Sequence, residues 1–143
     1  MSNVGEEEIP EAPFYRSVLI LAQMSSANNY FTSEYTSACL QLARQNSDFV
    51  MGFIAQESLN QEEGDNFITM APGVQLPPPG EEGKKVEGTQ GQQYNSPRLV
   101  VGERGADVVI VGRGVLSAND RKQEAERYRK EAWKAYEERI AGV

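Results

Sequence analysis

The sequence predicts an α/β fold in which four parallel strands form a sheet with helices on its outer side. Four short runs are apolar throughout and rich in β-branched residues, as is typical of parallel strands buried on both faces. The order along the chain is β-α-β-loop-β-α-β-α, with a short connection between the second and third runs, and it is typical of a parallel sheet with helices outside. The predicted strands cover residues 17–23, 49–55, 66–74 and 106–112.

The segments between the strands include two predicted helices. Residues 32–45 begin with Thr32 or Ser33, and either side chain can cap a helix. A shorter helix over residues 97–105 has a proline at its start and a glycine at its end, which is the usual placement of these residues. The apolar face of the first helix is predicted to consist of Tyr35, Ala38, Cys39 and Leu42.

The chain closes with a long predicted helix over residues 117–140. Glu126 and Lys130 are four residues apart, which is a favourable spacing for an ion pair on the solvent side of a helix. Its inward stripe is predicted to consist of Ala125, Tyr128, Ala132, Ala135 and Tyr136.

Two segments have no apolar period. Residues 1–13 are acidic and contain prolines, and we interpret them as a disordered lead-in. Residues 75–96 form a long loop, and loops of this length in a compact domain are usually functional or mobile. We therefore expect one domain over residues 14–143, with residues 75–96 acting as a mobile lid.

The composition argues against several classes of function. A formal net charge of −7 disfavours binding to nucleic acid or to a membrane surface. The absence of histidine removes the Ser-His-Asp triad and most zinc sites, so no metal is expected. The single cysteine, Cys39, allows no internal disulfide, is expected to be buried, and is typical of a cytoplasmic protein. No apolar run reaches membrane-spanning length, and the acidic N-terminus is unlike a signal peptide.

Arg113 is the first candidate binding residue, because it stands between Gly112 and Gly114 at the end of the last predicted strand. In parallel sheets, ligands bind at the carboxyl ends of the strands. Glycines leave backbone N–H groups accessible, and a guanidinium beside them suits a phosphate dianion. The local sequence is equally consistent with an ordinary turn whose arginine faces solvent.

Two further polar clusters follow predicted strands. The sequence GQQY provides an amide donor at Gln92 and a hydroxyl donor at Tyr94, although the local sequence alone favours an ordinary loop tip. Ser25 and Ser26 follow the first strand, where hydroxyls could recognise the edge of a polar heterocycle or Ser26 could start a turn. The stretch GEEGKK lacks the spacing and the hydroxyl residue of a phosphate-binding P-loop.

Six motifs follow one another along residues 14–143. They are LAQMSS, DFVMGFIAQ, MAPGVQL, GQQYNSP, ADVVIVGRG and RYRKEAWKAY. In this order and spacing they resemble the C-terminal half of the fungal type of orotidine 5'-phosphate decarboxylase. The pair formed by GQQY and VGRG carries the resemblance most specifically.

The resemblance implies a fold and a reaction. The family folds as a (β/α)8 barrel and forms homodimers, so this chain would be half of a TIM barrel and would supply its fifth to eighth strands. The family removes CO2 from orotidine monophosphate to give UMP without a metal or an organic cofactor. The implied partners are this nucleotide and either an N-terminal barrel half or a second copy of the chain.

The resemblance also implies roles for six residues. Ser25 would hydrogen-bond the edge of the pyrimidine, and Pro72 would lie beside the base. The phosphate would be held by Gln92, Tyr94, Gly112 and Arg113.

The catalytic residues of the family do not occur in this sequence. The family uses a lysine and aspartates in the pattern Asp-x-Lys-x-x-Asp, whereas the nearest match here, Asp120 to Lys122, has Ala125 in the last position. We therefore assign no catalytic residue and expect the isolated chain to be inactive unless it is complemented. Three alternatives stay open: a nucleotide-binding module without chemistry, a fragment without native binding, and a different phosphate-binding barrel enzyme.

Overall fold

The computed structural model describes residues 16–26, 29–78, 80 and 95–142. The predicted lead-in over residues 1–13 lies outside the described residues, as does most of the predicted lid. Within the described residues, four strands form one sheet in the order β1-β2-β3-β4, and every neighbouring pair is parallel. The strands are β1 (Val18–Leu21), β2 (Val50–Ile54), β3 (Ile68–Ala71) and β4 (Val108–Val109). The predicted parallel α/β sheet is thus confirmed.

The helices follow the predicted order with one addition. Helix α1 covers Ser33–Gln45, and the Thr32 hydroxyl caps it by accepting the Tyr35 N–H at 3.3 Å. The predicted helix after residue 97 is a π-helix over Arg98–Glu103. The predicted long helix over residues 117–140 is observed as helix α3 (Arg121–Ala141), and the added element is a one-turn helix α2 (Arg113–Leu116) before it.

The closing helix starts later than predicted because Asp120 caps α3. Its carboxylate accepts the Gln123 N–H at 2.9 Å, which satisfies one of the donors that the first turn leaves without an intrahelical partner. The residues before Asp120 therefore belong to a separate turn. The Glu126–Lys130 pair is present, with the ammonium and carboxylate 3.8 Å apart.

The strands are shorter than their apolar runs. Strand β3 ends at Ala71 because Pro72 has no N–H to continue the ladder. Strand β4 has a two-residue ladder, but the N–H groups of Asp107 and Ile110 extend it by donating to Thr69 and Ala71, each at 2.9 Å. The apolar runs thus locate the strands, while the pairing with neighbours decides their ends.

Two apolar clusters lie between the sheet and its helices. One joins α1 to β1 and β2, and it includes an edge-to-face contact of Phe53 with Phe67 at 5.3 Å between ring centroids. The other joins the π-helix and α3 to β3 and β4. Cys39 is buried in the first cluster as a free thiol, as predicted.

The predicted face of α1 is wrong for three of its four residues. Cys39 is buried, but Tyr35, Ala38 and Leu42 are exposed, and Leu40 and Ala43 face the core instead. The helix is rotated relative to the expected orientation because its packing surface is set by where β1 and β2 lie. Among its contacts, Tyr35 donates its hydroxyl to the Leu21 carbonyl at 3.1 Å.

The predicted stripe of α3 is correct at its centre and wrong at two positions. Tyr128 and Ala135 are buried, and Ala132 is half-buried against the second cluster. Ala125 and Tyr136 are exposed. The Tyr136 ring instead lies beside Trp133, with 5.4 Å between ring centroids, on the outer surface of the helix.

The face of the sheet opposite the described helices is apolar and partly open. Alternation along the strands turns Ile20, Phe53, Ala71 and Val109 towards the helices, and these belong to the two clusters. Residues one or three positions away along a strand therefore project to the other face, where four of them are 37–40% exposed. They are Leu21, Ile68, Val108 and Ile110. In the described part of the chain, β1 and β4 each pair with a strand on one side only.

Strands β2 and β3 lie very close together at Gly52. A Cβ at this position would overlap the carbonyl oxygen of Ile68, and the Ile68 carbonyl carbon and amide nitrogen would be 2.7 Å away. These are backbone atoms of the paired strand, so they cannot move aside without opening the sheet. A residue without a side chain is thus required at position 52.

The connection from β2 to β3 is fixed to α1 by a bidentate ion pair. Arg44 donates to both carboxylate oxygens of Asp65, at 2.9 and 2.8 Å, and also contacts Glu62 at 2.7 Å. The Asp65 side chain is only 4% exposed. The guanidinium, together with the N–H groups of Glu62 and Gln61, holds the pKa of the Asp65 carboxyl well below its usual range.

We predict that this ion pair makes the fold acid-sensitive. A carboxyl whose pKa is depressed in the folded state stabilises the fold above its unfolded pKa of about 4, and this stabilisation is lost as pH falls below that value. Asp65→Asn should therefore lower the melting temperature at pH 7 and reduce its dependence on pH below 4, measured by circular dichroism. Glu62→Gln is the matched control, since Glu62 is 66% exposed and should matter much less. Equal acid sensitivity in the parent and Asp65→Asn would contradict the prediction.

None of the helices in the described part of the chain combines the length and the hydrophobicity that a membrane span requires.

Candidate functional site

The predicted site residues fall at one edge of the sheet. Pro72 follows β3 directly, Gly112 comes three residues after β4, and Ser25 comes four residues after β1. Since all four strands are parallel, their carboxyl ends lie at the same edge. Strands β1 and β4 are the outer strands, so Ser25 and Gly112 are separated by about three strand spacings, roughly 14 Å. Gln92 and Tyr94 lie outside the described residues.

The segment after β4 is a one-turn helix and its cap. Gly112 precedes α2, and its carbonyl accepts the N–H groups of Val115 and Leu116 at 3.1 and 3.0 Å. Arg113 is the first residue of this turn, so its N–H and that of Gly114 belong to the set that a helix does not use internally. This helical turn places backbone donors beside a guanidinium.

Arg113 borders an open cleft of about 1040 Å³. The start of the predicted lid, from Gln75 to Pro78, forms another wall of this cleft, and residues in the first half of α3 also line it. The structure thus brings the end of the last strand and the beginning of the long loop to the same space. This juxtaposition is the main geometric feature of the candidate site.

Carboxylates of α3 also line this cleft, and arginines on the same helix pair with them. Arg127 contacts Glu124 at 2.8 Å, and Arg129 contacts Glu126 at 2.7 Å. Arg129 lowers the pKa of the Glu126 carboxyl, mainly through this hydrogen bond. The pairing offsets negative charge near a region that is expected to receive an anion.

Pro72 is held in place by a network of side-chain amides that the sequence analysis does not predict. The Gln56 amide donates to the Pro72 carbonyl at 3.4 Å and accepts from the Asn95 amide at 3.0 Å. The Gln56 N–H donates to the Gln23 side chain at 2.9 Å. The network joins the carboxyl ends of β1, β2 and β3. Its only signal in the sequence is a glutamine directly after the first and second apolar runs.

The two ends of the predicted lid start from one place. The Asn95 N–H donates to the Gly73 carbonyl, and the Gln75 N–H donates to the Asn95 carbonyl, each at 3.0 Å. Val74 and Asn95 therefore form an isolated parallel bridge. Residues 79 and 81–94 between them lie outside the described residues. The bridge sets both ends of this segment at the carboxyl edge of the sheet.

The turn after β1 is organised by Asn29. Its side-chain amide donates to the Ser26 carbonyl, and its carbonyl oxygen accepts the Phe31 N–H at 2.8 Å. The interpretation of Ser26 as part of a turn fits these contacts. Ser25 is half-buried at the start of this turn.

No group of three or more acidic or thiol side chains within the described residues is placed to hold a metal ion. Asp120, the first residue of the nearest match to the catalytic pattern, is the cap of α3. Lys122 is exposed on the same helix. This acid and this lysine therefore lie on an outer helix rather than at a strand end.

A family model and curated relatives with similar sequences point to the same family. A family model described as "Orotidine 5'-phosphate decarboxylase / HUMPS family" matches residues 3–128. The chain is 56% identical over 136 residues to an orotidine 5'-phosphate decarboxylase of Hypocrea atroviridis, covering 92% of this chain and 36% of the relative. It is 56% identical over 125 residues to the enzyme of the same name from Aureobasidium pullulans, covering 87% of this chain and 44% of the relative.

A mammalian relative is also similar. The chain is 41% identical over 137 residues to a uridine 5'-monophosphate synthase of Bos taurus, which covers 96% of this chain and 26% of the relative. The chain thus spans between about a quarter and less than half of the length of these curated relatives.

Proposed function

We propose, because this chain belongs to the orotidine 5'-phosphate decarboxylase / HUMPS family, that it forms the nucleotide-binding half of an orotidine 5'-phosphate decarboxylase. It would correspond to the fifth to eighth strands of the family's (β/α)8 barrel. The observation that carries the proposal is the cleft that is lined both by Arg113 and by Gln75 to Pro78. Arg113 is expected to bind phosphate, and Gln75 to Pro78 begin the segment to which Gln92 and Tyr94 belong.

The roles of the six residues are part of this proposal. Ser25 binds the pyrimidine edge through its hydroxyl, and Pro72 lies beside the base, where the Gln56 amide holds its carbonyl. A guanidinium and backbone N–H groups match the oxygens of a phosphate dianion in number and geometry. The residues assigned to the phosphate are Gln92, Tyr94, Gly112 and Arg113.

The phosphate grip contributes to the reaction without touching the reacting carbon. Binding energy from a remote part of a substrate can be used to orient and desolvate the reacting centre. In the decarboxylation, the bond from the ring to the carboxylate breaks, its electron pair stays on the ring carbon, and a proton joins that carbon. The residues in this chain hold the nucleotide while this exchange takes place, and no metal or organic cofactor is required.

The proton donor comes from outside these 143 residues in this proposal. Asp120 and Lys122, the nearest approach to the family's pattern, belong to the outer helix α3. The open, apolar face of the sheet supports a partner that completes the barrel, because four strands cannot close a barrel by themselves. That partner is either an N-terminal barrel half or a second copy of the chain.

A second candidate function is a nucleotide- or phosphate-binding module without chemistry. One observation favours it: Arg113 and its cleft lie on this chain, whereas the lysine and aspartates of the family's pattern do not. The two candidates share the binding step and differ only in whether a partner adds the reaction.

Calorimetric titration with UMP and uridine tests the shared binding step. Phosphate contacts of this kind contribute about 2–4 kcal/mol, so we expect UMP to bind at least roughly 30-fold more tightly than uridine. Inorganic phosphate should compete with UMP and not with uridine. Equal affinities for the two ligands would contradict the assignment of a phosphate grip. No heat with either ligand would contradict the proposal and would favour a chain without native nucleotide binding.

A further inference from the structure

Tyr128 stands between the two segments that border the cleft. It lies near the middle of α3 and is 3% exposed. Its hydroxyl oxygen accepts the N–H of Leu76 at 2.8 Å, at the start of the 75–96 segment. One side chain of the outer helix therefore holds the backbone of one wall of the cleft.

The same hydroxyl lies against the other wall. A Cβ at Gly114 would overlap the Tyr128 oxygen, and it would lie 2.9 Å from the ring carbon that bears this oxygen. The Tyr128 side chain thus occupies the space that any larger residue at position 114 would need. This contact gives a physical reason for the second glycine of the GRG sequence, because the turn can follow its path only if position 114 carries no side chain.

The neighbouring residue on α3 strengthens the hold on the first wall. Arg127 donates to the carbonyl of Pro77, and it also pairs with Glu124 at 2.8 Å. Leu76 and Pro77 are thus bound by consecutive residues of one helix. The helix itself packs against the π-helix, since Ala135 lies in the same buried cluster as Val100 and Val101.

We propose that Tyr128 is a positioning residue for phosphate binding, which sets the Arg113 turn and the Leu76 backbone at a fixed separation. This inference rests on the proposed function, since it concerns the same cleft. Tyr128 does not touch the nucleotide in this account. It acts through Gly114 on one side and Leu76 on the other, so that the two walls of the cleft do not move independently.

Tyr128→Phe tests the proposal, because it removes the hydroxyl and keeps the buried ring. We expect the Leu76 amide to exchange with solvent at least several-fold faster, and UMP affinity to fall roughly tenfold, as for the loss of one hydrogen bond. The melting temperature should change little. Tyr136→Phe is the matched control, since this tyrosine lies on the same helix and is exposed, and it should leave both readouts unchanged.

A merely structural role would give a different result. In that case Tyr128→Phe would lower the melting temperature but leave UMP affinity unchanged well below the transition, and the proposal would be overturned. If the parent chain itself binds no UMP, the proposed function fails, and the positioning role fails with it. If the parent binds UMP and Tyr128→Phe binds it equally well, the positioning role alone is wrong.

A double-mutant cycle with Gly114→Ala gives an independent measurement. In the parent, the added methyl group should displace the Tyr128 hydroxyl and weaken UMP binding. The Tyr128→Phe background lacks the overlapping oxygen and keeps only the ring carbon at 2.9 Å, so the same substitution should cost several-fold less affinity. Simple additivity of the two losses would show that the contact does not couple the walls, and would overturn the proposal.

Discussion

Replacing Arg113 by alanine is expected to weaken UMP binding by about 30- to 1000-fold. This range corresponds to about 2–4 kcal/mol for the loss of one partner of a hydrogen-bonded charge pair. Arg113 opens the turn after β4 and lines the same cleft as the start of the long loop. The measurement is a calorimetric titration at low and moderate salt. Arg113→Lys should fall between parent and alanine variant, because an ammonium keeps the charge but loses the bidentate fork.

The control for this prediction is Arg16→Ala. Arg16 is an exposed arginine of the same chain that precedes β1, so it lies at the amino edge of the sheet and does not line the cleft. Its removal should leave UMP affinity within about twofold, because solvent and salt screen an exposed charge that is distant from the ligand. If Arg113→Ala bound UMP as tightly as Arg16→Ala, the assignment of Arg113 to the phosphate would be wrong.

The strands were predictable because burial on both faces leaves a continuous apolar signal. Each of the four apolar runs contains one observed strand, and the parallel order follows from the helices or long segments between them. The ends were less predictable, since they depend on pairing. Val108–Val109 is a two-residue ladder inside a seven-residue run because the described sheet pairs β4 on one side only.

The buried faces of the helices were harder to predict than the helices themselves. In α1, the pattern placed Tyr35 and Leu42 inside, yet Leu40 and Ala43 are buried. Apolar residues occur on more than one side of this helix, so periodicity does not decide which side meets the sheet. In α3, the alanine at position 125 is small enough to fit either environment, and its side of the helix is exposed.

The residues of the candidate site that follow strand ends and belong to the family motifs could be predicted from the sequence. Ser25, Pro72, Gly112 and Arg113 all lie at the carboxyl edge of the sheet, where parallel strands place their ligand-binding loops. The residues that were missed act on the backbone of other segments. The contact of Tyr128 with Leu76 leaves no pattern in the sequence, and that of Gln56 with Pro72 leaves only the glutamine that follows each of the first two apolar runs.

In the proposed function, binding and chemistry lie on different stretches of polypeptide. Complementation of the chain should therefore change its decarboxylation activity more than any substitution does. The chain carries the candidate phosphate grip, while the Asp-x-Lys-x-x-Asp pattern does not occur in its sequence. In the proposed function, electrostatic stabilisation and proton donation at the reacting carbon provide most of the rate acceleration. A chain without the lysine and aspartates should therefore show no detectable turnover. Adding a segment of a family member that carries the pattern should restore it.

The most direct test is therefore the release of CO2 from orotidine monophosphate, measured with this chain alone and with such a segment added. We expect no release from the chain alone and clear release from the mixture. The release should disappear when the lysine of the pattern is replaced in the added segment, and it should fall at a limiting nucleotide concentration when Arg113→Ala is used in this chain. Measurable release of CO2 by this chain alone would contradict the separation of binding from chemistry.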